Sequence, residues 1–335
     1  MQKKLVISIL FLAFISVNCN EKESDSKDNK KAISQIKIDY KNGDKYTLKY
    51  GFTQGLVYNY KTSTNSENSQ SNGRETQTMK MNTEQTIEII PNETDSDNEM
   101  DLKVKFKTIK MNAEIGNQKF SYDSENPADS SKADSPEFAE YAIFKNTGVS
   151  VRVSQRGEII EVYRLDNIIN KILGDKANTV GDEIKSQLKT RLEMQVTSTL
   201  QQLFQFLPTE PVNINSDWSK ETSEQMENAL AKTTVTYKIM DIKNVDGKDV
   251  AIINATLASN IEKRKNVEEK GVKYDFKKPQ ISGKGEVEFN LENGLVVSRN
   301  LEVSIVTGMK MSKGYESMDI TNRAKNKSSV TLEIN

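Results

Sequence analysis

From Asp44 onward, apolar and polar side chains alternate with a period of two in run after run, with Thr, Val, Ile, Tyr and Phe abundant. Such alternation predicts strands that each bury one face. In the first part of the chain the candidate strands are Asp44–Tyr50, Leu56–Thr64, Thr78–Ile90, Met100–Ala113, Gly148–Ser154 and Glu158–Val162. The run YTLKYGFTQGLVYNY reads as a hairpin: Gly51 and Gly55 permit tight backbone, and Tyr46, Leu48 and Tyr50 share a face. Turn composition marks PNETDSDNE after Ile90 and QRGE at Gln155 to Glu158. Two polar stretches, Ser63–Gln77 and Ser121–Pro136, are expected to be long loops or hairpin tips.

The same alternation returns after Trp218, over Thr233–Asn244, Val250–Arg264, Gly283–Asn290, Leu295–Thr307 and a closing Ser329–Ile334. The segments KFSYDSENP and VKYDFKKPQ match in order, as do VSVRVSQRGEIIEV and GEVEFNLENGLVVS, which points to an internal duplication. Between the halves the period becomes helical. Leu165, Ile168, Ile169, Ile172 and Leu173 form a stripe stopped by Gly174. A longer helix is predicted from Ile184 through Leu188, Leu192, Val196, Leu200 and Leu203 to Leu207, with Pro208 ending it. The expected fold class is α+β, predominantly antiparallel β, with one curved sheet or two, built from two similar halves around central amphipathic helices.

At the start of the chain, Lys3 and Lys4 precede an apolar run, Leu5–Val17, that is too short for a typical membrane span and ends abruptly at Cys19. This is the layout of a lipoprotein export signal, with Asn18 where Gly, Ala or Ser is usual. Cleavage before Cys19 would expose its thiol side chain for acylation, and several acyl chains anchor a protein to a bilayer effectively permanently. The organisation expected is a signal peptide at 1–18, a lipidated Cys19 and flexible tether to 31, a β-rich half at 32–164, helices at 165–208 and a second β-rich half at 209–335. Location in a bacterial cell envelope follows, with the outer membrane favoured.

Composition removes several kinds of chemistry. There is no histidine and no second cysteine, so Ser–His, Cys–His and His–metal sites and internal disulfides are excluded. Charges nearly balance, 47 basic against 48 acidic, which gives no electrostatic footprint for nucleic acid.

The segments YTLKYGFTQGLVYNY, VRVSQRGEIIEVYRLDNI, FLPTEPVNINSDW and GEVEFNLENGLVVSRNLEVSI resemble an uncharacterised bacterial family, domain of unknown function 6263, over Tyr46 to the C-terminus. That resemblance implies a secreted or lipid-anchored, β-rich protein and carries over no functional residues. In outline, a curved sheet with enclosed helices is also similar to lipoprotein carriers of the LolA and LolB type.

Four constellations are candidates for chemistry. Asp95, Asp97, Glu99 and Asp101 alternate as in a calcium loop, but Met100 and Phe106 stand where an EF-hand needs Gly and Glu, so a solvated hairpin tip is expected. Met79 with Met81 and Met309 with Met311, joined by Met111, Met226, Met240 and Met318, could offer thioethers to Cu(I), although flexible core filling is the ordinary use of Met. Carboxylates such as Glu286, Glu288, Asp217 and Glu221 stand in no hydrolytic motif. Trp218 is expected to be a packing anchor. No catalytic, cofactor or metal residue is assigned, and the functional residue is the lipidation site, Cys19. The expectation is a non-enzymatic envelope lipoprotein holding a hydrophobic ligand between sheet and helices. The alternatives are a surface lipoprotein that binds or adheres to a protein partner through its exposed loops or free strand edges, and a carboxylate-dependent hydrolase. Replacing Cys19 by Ser is expected to abolish incorporation of labelled palmitate and to move the protein from the membrane to the soluble fraction; unchanged labelling would place the anchor elsewhere.

Overall fold

A computed structural model describes residues 37–95, 98–126, 145, 147–226, 229–263 and 266–333. Cys19, the export signal and the tether lie outside the described residues. Two short strands, β1 (Lys41–Asn42) and β2 (Lys45–Tyr46), pair with each other. The remaining strands form one 14-stranded antiparallel sheet. In its first half these are β3 (Tyr58–Ser71), β4 (Thr76–Thr94), β5 (Met100–Ile115), β6 (Gln118–Asp123), β7 (Gly148–Val153) and β8 (Ile159–Tyr163). The second half adds β9 (Asp217–Met226), β10 (Ala229–Val245), β11 (Lys248–Lys263), β12 (Val267–Glu269), β13 (Val272–Phe276), β14 (Gln280–Asn290), β15 (Leu295–Lys313) and β16 (Glu316–Glu333).

The spatial order is β8-β7-β5-β4-β3-β16-β15-β14-β11-β10-β9. Read across the sheet, β8-β7-β5-β4-β3 and β15-β14-β11-β10-β9 run in the same sense, with β16 inserted between them. The β7–β8 and β14–β15 hairpins hold one pair of matching sequence segments, and β6 and β13 hold the other. The two short strands dock differently, β6 on β5 and β13 on β15.

Several expected boundaries are corrected. The polar stretch Ser63–Gln77 is a hairpin tip, one of the two expected forms, and not a long loop: Ser63–Ser71 completes β3, β4 begins at Thr76, and Asn72 turns the chain by accepting the amides of Arg74 and Glu75 at 2.9 and 2.8 Å. Backbone pairing continues there without an apolar face, because ladder hydrogen bonds do not depend on side-chain polarity. Ser121–Asp123 likewise belongs to β6, and residues 127–136 lie outside the described part. The expected hairpin at YTLKYGFTQGLVYNY does not form. Tyr46 instead exchanges backbone hydrogen bonds with Val212, and Tyr46, Leu48 and Tyr50 are buried on one side of an otherwise irregular crossing. The closing strand starts at Glu316, not Ser329, and lies in the middle of the sheet.

Two helices follow β8: α1 (Asp166–Leu173), ended by Gly174 as expected, and α2 (Asp182–Leu200). The predicted run to Leu207 is corrected, because the chain leaves the helix at Gln201 and Phe204–Leu207 carries no helical assignment. Leu192, Val196 and Leu200 are buried along one stripe, whereas Ile184, the first residue of the expected stripe, is 54% exposed.

The helices cover one face of the sheet at one end of its strands. There Ile87, Ile89, Leu102, Val104 and Val151 meet Leu165, Ile168, Leu192, Leu200 and Leu203 in a single core cluster. The sheet curls around this core far enough for its two edges to touch: Lys220 of β9 reaches Glu158, at the foot of β8, at 3.0 Å. A floor closes the same end. The amide of Tyr50 donates to Gln155 and that of Gly51 to Gly294, so one crossing segment is gripped by the turns of both matching hairpins.

Gly157 and Gly294 sit in those turns with φ +80° and +64°. A Cβ on Gly157 would lie 2.5 Å from Tyr50 Cε2, and one on Gly294 would lie 2.6 Å from Gly51 N. Gly294→Ala is therefore expected to destabilise the fold by about 3 kcal/mol through strain plus overpacking. Gly314→Ala, at φ +57° with open space around it, is expected to cost about 1–2 kcal/mol from the backbone alone. Thermal unfolding of both variants checks this, and equal shifts would mean that the floor contact contributes nothing.

Candidate functional site

Side chains alternate between the faces of a strand, so the register locates every position relative to the helices. Ile87 and Ile89 of β4 face them, which puts Met79, Met81, Thr83 and Gln85 on the same inner face. A bulge at Lys107 shifts the parity of β5, so that Ile109, Met111, Ala113 and Ile115 oppose these residues. On β15 the inner positions are Arg299, Leu301, Val303, Ile305, Thr307, Met309 and Met311. Their neighbours are Ile281, Gly283 and Gly285 on β14, and Ala255 and Leu257 on β11. Between these two apolar bands, β3 and β16 present a neutral polar band that includes Thr64, Ser66, Asn68, Asn322, Asn326 and Ser328. Beyond the helices the apolar members of this face are mostly part-exposed.

The outer face of the same strands carries the charges. Glu302 pairs with Lys325 at 2.8 Å, Lys61 with Glu333 at 2.6 Å, and Glu88 with Lys105 at 3.0 Å and Lys107 at 3.5 Å. These neighbours hold the Glu88 and Glu302 carboxyls below the usual carboxylate range. Each exposed pair contributes little to stability; what matters is the side on which they lie. Over Thr62–Gln70, Gln77–Gln85, Ile109–Ile115, Thr233–Tyr237, Ala255–Ser259, Ile281–Gly285, Arg299–Met311 and Met318–Ser328, the inner positions hold one charged side chain, Arg299.

Arg299 lies where the uncovered face meets the helices. Its Nη1 donates to the carbonyls of Gln201 and Gln202, both at 2.8 Å, and so supplies a cation to the C-terminal end of α2. Tyr50 and Tyr237 neighbour the guanidinium, and burial pushes both phenols up from their ordinary value. The Tyr50 hydroxyl accepts the amide of Gln205. Beside the floor, Phe206 is flanked by the cations of Arg156 and Lys220, each 4.6 Å from its ring.

The sequence candidates fall in scattered places. Asp95 caps its own turn by accepting the amide of Glu99 at 2.9 Å, and Arg152 lies 3.2 Å from Asp101 and 3.9 Å from Glu99. This is an ion-paired hairpin end, and Asp97 lies outside the described residues. Among the described residues no group of three Asp, Glu, His or Cys side chains stands where it could hold a metal ion. The pairs Met79/Met81 and Met309/Met311 both line the inner face, with β3 and β16 between them, so they form no joint metal site. Met111 is buried, whereas Met240 and Met318 are exposed. Glu286 and Glu288 are on the outer face of β14, with two strands, β11 and β10, between them and Asp217 and Glu221 on β9. Trp218 packs on Tyr237 and donates its indole N–H to Phe206 O at 2.9 Å. Arg299 was missed, although VSRNLEVSI places it two, four and six residues before Leu301, Val303 and Ile305.

The expected ligand space between helices and sheet is also corrected, since side chains 0–1% exposed, among them Ile168, Leu192, Leu200 and Leu102, fill that interface. A groove of about 760 Å³ lies elsewhere, on the charged face near the strand tips, lined by Asn65, Asn82, Asn112, Lys80 and Lys119.

The arrangement defines a class: an open, curled antiparallel sheet with few helices, an apolar inner face and a charged exterior. The chain belongs to the family of unknown function DUF6263, whose model matches residues 97–296. No protein of curated function matches it. Among solved structures, lipovitellin, described for its lipid–protein interactions, is similar at 12% identity and a TM-score of 0.47 over 84% of this chain. The chain spans 25% of the lipovitellin chain. OpdQ of Pseudomonas aeruginosa follows at 6% identity and a TM-score of 0.24, with 83% of this chain and 99% of that one covered. A DUF1329 family protein from Desulfovibrio piger has 8% identity and a TM-score of 0.11, with 79% and 83% covered. Likeness at these values carries nothing about ligand or activity.

One buried acid gives a pH signature. Burial raises the pKa of Glu193 on α2, with nearby Glu161 adding to the shift and Lys189 opposing it. The folded state thus binds this proton more tightly than the unfolded chain, so this residue's contribution to stability falls as pH rises from the ordinary glutamate range through the raised value. Glu193→Gln is expected to raise the unfolding temperature at pH 7 and to lose that advantage near pH 4. An advantage independent of pH would assign the effect to packing.

Proposed function

We propose that the protein is a non-enzymatic, lipid-anchored envelope protein that holds a hydrophobic ligand against the uncovered inner face of its sheet. The observation that carries this reading is the segregation of charge: over the stretches of eight neighbouring strands given above, which stop short of Lys313 and Glu316 at the tips, the ionic side chains turn outward and one arginine faces inward among apolar and neutral polar groups. A water-filled concavity gains nothing from excluding charge, whereas an acyl chain or similar apolar ligand does, because an unpaired charge costs heavily in apolar surroundings. Methionines at six inner positions, Met79, Met81, Met111, Met309, Met311 and Met318, add flexible, polarizable surface that adapts to a ligand of variable shape.

The same segregation disfavours a membrane-spanning barrel. Such barrels are apolar outside and polar inside, the reverse of this sheet. No helix of the described residues is long and apolar enough to cross a membrane. Attachment through acylated Cys19 fits a protein whose charged exterior faces water. The LolA/LolB-like outline fits the same reading, with the ligand placed further along the strands than the helix–sheet interface. The alternative of binding through long loops loses one of its two loops, since Ser63–Gln77 is paired strand and a four-residue turn. The hydrolase alternative is left with carboxylates spread over an outer face and an edge.

Neighbouring positions on β15 give the test. Ile305→Lys puts a charge on the inner face and Ser304→Lys puts one on the outer face. Nile red titration of the full chain is expected to show at least tenfold weaker uptake by the first variant and unchanged uptake by the second. Native mass spectrometry of the full chain purified from bacteria is expected to show a stoichiometric apolar adduct. An adduct-free mass together with no dye uptake would remove the reading.

A further inference from the structure

We propose that Arg299 is the head-group site of a long-chain carboxylate, a fatty acid bound head-first at the floor of the inner face with its chain running along β15 toward the strand tips. This rests on reading the inner face as the ligand surface and names the chemistry of what it takes.

A guanidinium has five N–H donors arranged in a planar fork. Two leave from Nη1 to the carbonyls of Gln201 and Gln202. The edge formed by Nε and Nη2 makes no hydrogen bond or ion pair to any described residue, and no carboxylate among the described residues faces Arg299. That edge is the one a carboxylate engages bidentately. The titratable groups that face Arg299 are the hydroxyls of Tyr50 and Tyr237, both neutral near pH 7. Burial lowers the arginine's own pKa, but an arginine stays charged at any accessible pH. The result is a half-buried cation that two carbonyls satisfy on one side and that has no counter-ion among the described residues.

What lies next to it decides the rest of the ligand. Arg299 is paired across the sheet with Val287 and Val330, and Leu301, Val303, Ile305 and Met309 continue from it along one line of β15. A small free anion would satisfy the cation and leave this line bare; an acyl chain attached to the anion covers both. A long-chain carboxylate is the simplest molecule with a forked, singly charged head and an apolar tail.

The test is binding of oleate, oleyl alcohol and dodecyl phosphate to the full chain, its Arg299→Gln and Arg299→Lys variants, with far-UV circular dichroism to confirm folding. For the unaltered chain, oleate is expected to bind at least tenfold more tightly than oleyl alcohol, which shares its tail. Arg299→Gln should close that gap while leaving oleyl alcohol unchanged. Arg299→Lys keeps a cation on the helix carbonyls but lacks the fork, and is expected to lose at least fivefold for oleate alone; it carries the comparison if the glutamine variant does not fold. With carboxyl-labelled oleate, the bound carboxyl signal should titrate below that of oleate in vesicles, a readout that helix capping alone would not move. Equal affinity for oleate and oleyl alcohol, or ordinary titration of the bound carboxyl, overturns the head-group site and leaves the apolar-ligand reading standing. Tighter binding of dodecyl phosphate than oleate overturns the carboxylate assignment in favour of a phosphate head. Binding of none of the three overturns this proposal and the reading beneath it together.

Discussion

The pairing of β16 with β3 is the contact on which the molecule depends. Asn59–Ser71 lies against Thr321–Glu333, so nearly the whole described chain separates the partners. Without this seam the protein would be two smaller sheets, each with an open edge ready to pair with another chain. With it, the two matching strand sets become one surface wide enough to curl until β9 reaches the foot of β8. Closing so long a loop costs entropy before the ladder returns any stability, which makes the seam a late and slow contact in folding.

Curling a sheet leaves the problem of its interior. At one end this chain fills the interior with α1, α2 and the Phe204–Leu207 segment, and locks the filling with Arg299, Trp218 and the Tyr50–Gln205 contact. The Tyr50 segment is gripped by two turns that occupy equivalent places in the two halves. Packing at that end is dense, with many side chains wholly buried. Toward the tips the strands continue without cover, and an apolar face partly open to water costs free energy unless something else lies on it. The proposed ligand and the proposed head-group site both follow from this contrast between a filled end and an uncovered one.

Most of the strands could be read from alternation, because a half-buried strand writes its burial into the sequence: Thr78–Ile90, Met100–Ala113 and Leu295–Thr307 all fall within observed strands. Alternation failed where neither face is apolar. Ser63–Ser71 pairs with Thr321–Ser329, held mainly by the backbone ladder with polar side-chain pairs to the flanking strands such as Asn65–Asn82 and Lys325–Glu302, and these Ser, Asn, Lys and Glu side chains look like loop in a one-dimensional reading. The helix was overextended for the opposite reason. Leu203, Phe204 and Leu207 keep helical spacing, yet they are buried by turning into the floor beside Arg156 and Tyr50.

The sequence by itself determined the strand grammar, the two related halves, the helical insert between them and the lack of histidine and disulfide chemistry, because each of these is written in local spacing or composition. Only the tertiary structure decided that the halves make one sheet, that the last strand sits at its centre, and that Met79, Ile109, Leu257 and Val303 share a face with one unpaired cation. Those facts depend on which strands meet across hundreds of residues, and strand pairing is set by backbone hydrogen bonds that every sequence offers alike. Arg299 shows the difference most plainly: in the chain it is one basic residue among 47, and its meaning comes from the charges that the fold keeps away from it.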